Sequence, residues 1–191
     1  MKGETVPRRH ILTLLVENQV GVLARIAGLI AAKGYNIDSV SVGETMDNSI
    51  SRVTLVVHGD VWVMEQVVKQ LNRLIEVIKV VDLTEEDFIE REMILVRVTA
   101  DPPNRAEILR IADVFRAKVV DLTHRTYTLE ATGAEDKIQA LLDLLRPFGI
   151  KELVRTGLIA IGRASKSPSG KLERVAANGE DGGKKPTAVA T

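Results

Sequence analysis

Asn18-Gln19-Val20-Gly21-Val22-Leu23 joins two segments of different period. Before it, residues 9–16 (RHILTLLV) are aliphatic and β-branched enough for a buried strand; after it, residues 22–33 carry apolar side chains at helical spacing. The joint is therefore a βα turn. Gly21 stands where the backbone must change direction, and its missing Cβ lets a ligand come close. The helix behind it opens with unpaired N–H groups that carry roughly +0.5 charge through the macrodipole, enough to attract a carboxylate without Lys or Arg. A free amino acid supplies such a carboxylate. From spacing alone an ordinary tight turn is the commoner reading, since glycine-containing βα turns are common.

Outward from this joint, Leu23, Ile26, Ala27 and Ile30 form one helical stripe that should pack on a sheet, and Gly34 follows Lys33 as a C-terminal stop. Residues 37–43 read as a second strand in which Val40 and Val42 alternate with Ser39 and Ser41, so one face is wet. The Asp47-Asn48-Ser49 turn leads into a third strand over 52–57. Asp60 is placed to cap a second helix striped by Val61, Met64, Val67, Val68, Leu71 and Leu74, with Trp62 half-buried beside it. A fourth strand over 77–83 closes the unit. The order strand, helix, strand, strand, helix, strand is the split βαβ arrangement of ferredoxin-like folds.

The acidic run Thr84-Glu85-Glu86-Asp87 reads as a solvated linker; it has no histidine or loop glycine that would make it a metal site. The pattern restarts at Met93 with a strand to Thr99, a loop at Asp101-Pro102-Pro103, and a helix opened by Asn104 and Glu107 as a capping box and striped by Ile108, Ile111, Ala112 and Phe115. A hairpin over 118–122 and 127–132, a helix with Ile138, Leu141, Leu142 and Leu145 that stops at Pro147, and a last strand over 150–161 complete it. The expected fold class is α+β: two ferredoxin-like βαββαβ domains, over 8–83 and 84–163, each an antiparallel sheet with helices on one face. Asp101-Pro102-Pro103 removes backbone donors where the first domain offers them, so no equivalent amino-acid site is expected in the second. From residue 164 to 191 Ser, Gly, Lys and Ala dominate, and that segment is expected to be a disordered tail.

Composition narrows the function. The chain of 191 residues has 26 Lys+Arg against 26 Asp+Glu, and only 3% aromatic residues. Without the tail the balance is 21 against 23. Neither a basic stripe nor stacking rings for nucleic acid are present. With no cysteine, a disulfide framework is ruled out, and no apolar run approaches the ~20 residues that span a bilayer. A cytoplasmic protein with no membrane contact is expected.

The run RHILTLLVENQVGVLARI over 9–26, followed by KGYNIDS over 33–39 and SRVT over 51–54, resembles the N-terminal ACT domain of the small regulatory subunit of acetolactate synthase, also called acetohydroxyacid synthase. ENxxGVL alone would indicate an ACT domain; the other two motifs at these distances make the match specific to that subunit. The resemblance continues through EREMILV over 90–96 and FRAKVVD over 115–121 to Gly162. In the loop, many ACT domains place Pro before the glycine, where this chain has Val20.

The resemblance implies a binding protein without a catalytic site, which activates a separate catalytic large subunit and confers feedback inhibition by valine in branched-chain amino-acid biosynthesis. It implies a homodimer in which the Gly21 loop of one copy faces Asn36 and Ile37 of the other. In that site the N–H groups of Gly21, Val22 and Leu23 hold valine's carboxylate beside Val20. Asn18 and Asn36 accept from its ammonium, and Val22, Ile26 and Ile37 surround its isopropyl group. Thiamine diphosphate, magnesium and FAD would belong to the catalytic partner, with no cofactor and no metal in this chain.

The residues themselves agree that catalytic signatures are missing. His10, His58 and His124 stand without a paired ligand or nucleophile, no GxGxxG or GxxxxGK[ST] occurs, and no two carboxylates are marked as acid and base. A free-standing amino-acid sensor acting on transcription would need a helix-turn-helix or basic face, and an enzyme a catalytic constellation; neither is found.

Overall fold

The computed structural model describes residues 8–164. The expected polar lead-in before residue 8 and the tail beyond 164 lie outside them.

The first unit comprises β1 (Arg8–Glu17), α1 (Val22–Ala32), β2 (Ile37–Glu44), β3 (Ile50–Gly59), α2 (Val61–Leu71) and β4 (Val77–Asp82). Its antiparallel sheet has the order β2-β3-β1-β4. Leu12, Leu14 and Val16 of β1 and Val53, Leu55 and Val57 of β3 share one face and pack with Val22, Ile26 and Ile30 of α1 and Met64, Val67 and Leu71 of α2. Period-2 strands thus meet period-3.6 helices across one core. Gly34, at φ +77, turns the chain out of α1 as expected.

The second unit repeats the plan with β5 (Phe88–Thr99), α3 (Arg105–Phe115), β6 (Lys118–Leu122), β7 (Thr126–Gly133), α4 (Glu135–Leu145) and β8 (Ile150–Arg155). Its order is β6-β7-β5-β8, with Ile94, Val96, Val98 and Leu129 under Ile108, Ala112, Ile138 and Leu141. The fold is α+β, built from two βαββαβ units with helices on one face of each antiparallel sheet.

Several expectations need correction. The last strand does not run unbroken over 150–161: Thr156-Gly157-Leu158 interrupts it, and β9 (Ile159–Gly162) leaves β8 to pair with the first half of β5, Phe88 opposite Gly162 and Arg91 opposite Ile159. Correspondingly β5 begins at Phe88, five residues before Met93. This two-stranded ribbon lies over the open face of the first sheet, where Leu158, Ala160 and Phe88 pack on Ile11, Val56, Val81 and Leu83. Strand β1 is therefore covered on both faces.

On α1 the stripe is rotated: Leu23 is 45% exposed, while Val22, Ile26 and Ile30 are buried. Trp62 is 71% exposed rather than half-buried, because at helical spacing it stands on the face of α2 opposite the buried Met64, Val67 and Leu71. Asp60 and Asn104 occupy N-cap positions without a side-chain cap bond, and Glu107 instead accepts from Arg110 at 2.9 Å, so the capping box does not form. On β2 the valines, not the serines, are the more exposed: Val40 and Val42 lie opposite buried Leu55 and Val53, but at the edge of the sheet the helices leave them uncovered.

Candidate functional site

The loop between β1 and α1 is tied down on both sides. Glu17 N–H donates to Glu76 O at 2.8 Å and Asn18 N–H to Ser49 O at 2.7 Å, which pins the loop between the β2–β3 hairpin and the start of β4. Asn18 Nδ2 donates to Asn48 O at 3.0 Å and to Glu44 Oε1 at 3.3 Å. The Asn18 amide oxygen is thus the atom left for a ligand. Gly21 is the N-cap of α1 at φ +91, ψ −12, a left-handed conformation that costs an L-residue roughly 1–2 kcal/mol. A Cβ built there would meet nothing within 4 Å, so the need for glycine is conformational and the space above it is open.

The first turn of α1 contains no acidic residue, whereas α3 has Glu107 there and α4 has Glu135 and Asp136. Its positive end is uncompensated by the helix's own side chains. Arg25, one turn into the helix, is paired with Glu76 rather than left as a free cation beside the loop.

The remaining candidate residues divide. Val20 is fully exposed and Leu23 half-exposed beside the loop, while Val22 and Ile26 are buried in the core beneath it, so in one copy their side chains face the sheet rather than a ligand. Asn36 is exposed and Ile37 half-buried against the same core. Within one copy the structure does not bring Asn36 and Ile37 to Gly21. They lie beyond opposite ends of α1, whose 11 residues span about 16 Å at 1.5 Å per residue. Glu44, at the far end of β2, is the residue that does reach the loop. Spacing did not reveal it, because only the β2–β3 pairing carries its carboxylate back to Asn18, 26 residues away.

The histidines fall elsewhere. His10 is buried with Nδ1 3.4 Å from Thr84 Oγ1 and 3.5 Å from Asp82, and its Nε2 has no partner among the described residues. His58 pairs with Asp38, and His124 is exposed. Among the described residues no group of His, Asp and Glu is placed to hold a metal, and no helix is long and apolar enough to cross a membrane.

A ferredoxin-like unit with an open glycine-capped helix start between β1 and α1 defines the class: residues 12–79 match the model of the acetohydroxyacid synthase small-subunit-like ACT domain. Residues 91–164 match the model of the small subunit of acetolactate synthase. The chain belongs to the acetolactate synthase small-subunit family. It is 57% identical over 163 residues to the acetolactate synthase small subunit of Aquifex aeolicus, covering 85% of this chain and 84% of that one. It is 51% identical to the probable small subunit of Archaeoglobus fulgidus, covering 83% and 99%. The crystal structure of the small subunit from Thermotoga maritima aligns with a TM-score of 0.76 at 37% identity, over 83% of this chain and 99% of that one. A small subunit implies a catalytic subunit as its partner.

Proposed function

We propose that this chain regulates a catalytic acetolactate synthase subunit, raising its rate and making it sensitive to valine bound between two copies of the first unit. The observation that carries the reading is the separation of the site's two halves. Strand β2 starts at Ile37, beside the end of α1, and finishes at Glu44, beside Asn18 and the Gly21 loop. It is also a free edge of its sheet, with Val40 and Val42 exposed along it. Antiparallel pairing of β2 with β2 of a second copy sets the start of one strand against the end of the other. Asn36 and Ile37 of one copy then meet the Gly21 loop of the other, and the exposed valines are covered.

In that arrangement the N–H groups of Gly21, Val22 and Leu23 hold the carboxylate of valine, and the Asn18 oxygen, Glu44 and Asn36 accept from its ammonium. Val20, Leu23 and Ile37 flank its side chain, with Val22 and Ile26 forming the floor. Valine binds more tightly to one arrangement of the two copies and shifts the population toward it. Thiamine diphosphate, magnesium and FAD belong, in this reading, to the catalytic subunit, and the chain alone forms no acetolactate from pyruvate.

Gly21→Asp tests it. The substitution places a carboxylate at the helix end that valine's own carboxylate requires. The reconstituted complex should keep its activation and lose inhibition by valine. Wild-type sensitivity in the variant would show that valine does not bind at Gly21.

A further inference from the structure

Resting on that reading, we propose that the bend Thr156-Gly157-Leu158 is the coupling element between the effector site and the second unit, with Ser39 and Gly157 as positioning residues that touch no effector. The bend is held to the second unit by Thr156, whose N–H donates to Met93 O at 3.0 Å and whose Oγ1 accepts from Met93 N–H at 3.1 Å. Two residues later it grips the first. Leu158 N–H donates to Ser39 Oγ at 2.9 Å, and the Leu158 side chain is buried against Ile11 and Val56.

Gly157 is the close point. At φ +84 it is left-handed, and a Cβ there would stand 2.8 Å from Ser39 Oγ and 3.1 Å from Val40 O. The second distance is to backbone, which cannot swing aside. The contact therefore depends on glycine both for its conformation and for its clearance.

What the bend grips is the segment carrying the effector half-site. Ser39 is two residues after Ile37 and three after Asn36, and the pairing of β2 with β3 shifts register between Ile37 and Ser39. Asp38 is the extra residue of that bulge, and it is held by His58. The bulge sets Asn36 and Ile37 apart from the regular ladder of 39–44, and Ser39 is the first residue of that ladder, so a pull on Asn36 and Ile37 reaches the strand at Ser39. The other ties between the units fall on β1, β3 and the end of β4: Arg9 of β1 pairs with Glu90 and Glu135, and the ribbon packs on Ile11, Val56, Val81 and Leu83. An effector that draws Asn36 and Ile37 toward a neighbouring loop displaces Ser39, and through Leu158 N–H and Gly157 the junction of β8 and β9. The second unit receives the signal there.

The test uses the full chain reconstituted with its catalytic subunit and valine as the probe. Ser39→Ala removes the acceptor without adding bulk, and should leave valine binding, read by calorimetry, within about threefold of wild type. The residual activity at saturating valine should rise at least about twofold, since a coupling energy and an affinity are separate quantities. Ser39→Thr keeps the hydroxyl and should restore full inhibition, and Gly157→Ala should uncouple as Ser39→Ala does. Full inhibition of Ser39→Ala at saturating valine would overturn the proposal. Loss of valine binding by Ser39→Ala would also overturn it, by making Ser39 part of the binding site. A wild-type complex that binds no valine would overturn the reading beneath it, and the coupling role with it.

Discussion

Gly21 and Asp47 show two ways in which a single residue shapes the loop region. At Gly21 the constraint is the backbone alone: with φ +91 and open space where a Cβ would stand, Gly21→Ala should fold normally and lose about 1 kcal/mol, measured by urea unfolding. A larger loss would mean that the side chain meets something in the dimer. Asp47 shapes the β2–β3 turn by accepting from Ser49, whose Oγ and N–H donate to Oδ1 at 2.6 and 2.9 Å, and these bonds hold its pKa below the usual 3.8. The sign follows from the lowered folded value. The turn's contribution is present above pH 3.8 and is lost as pH falls through the lower folded pKa. An NMR titration of the Asp47 carboxyl should give a midpoint below 3.8 in wild type that moves up in Ser49→Ala. No movement would separate Ser49 from the effect.

At the scale of elements, α1 separates two kinds of apolar residue that periodicity treats alike. Ile26 is fully enclosed by the core and Leu23 is half-exposed. Ile26→Ala should cost about 3 kcal/mol through lost burial and a cavity, and Leu23→Ala no more than about 0.5 kcal/mol, both read as urea midpoints of the isolated chain. Equal losses would place Leu23 under cover in the dimer. The ion pair joining β5 and β8 is a second element-scale feature. Glu92 is buried and accepts from Arg155 Nη1 at 2.9 Å, so Arg155→Ala leaves a carboxylate in a poorly solvated cleft. Breaking such a pair costs about 3 kcal/mol, with the partial exposure of Arg155 placing it at the lower end of the usual range.

At the scale of the molecule, β9 decides how the units are joined. Arg163 N–H donates to Asp87 O at 2.7 Å, one residue beyond the strand, and so extends the ribbon's hold on the start of β5. A chain ending at Ala164 should sediment, melt and bind valine as the full chain does. One ending at Thr156 loses β9 and uncovers Ile11, Val56 and Leu83, and should melt several degrees lower. Identical melting curves would show that the ribbon adds nothing to stability.

The kind and order of the elements from β1 to β8 can be read along the chain, because each strand and helix writes its own period locally. The sequence by itself also determined the Gly21 loop, since a βα joint with an exposed helix end is a property of a few adjacent residues. Tertiary structure alone decided which apolar residues are covered. Leu23, Val40, Val42 and Trp62 have the pattern of buried residues but stand where no second layer reaches. It also decided that the final strand divides at Gly157, where sheet pairing and the approach of Ser39 override an apolar run that reads as continuous. Last, it placed Asn36 and Ile37 far from Gly21 and Glu44 near it, because distance in space across a helix and a hairpin follows from topology rather than from spacing along the chain.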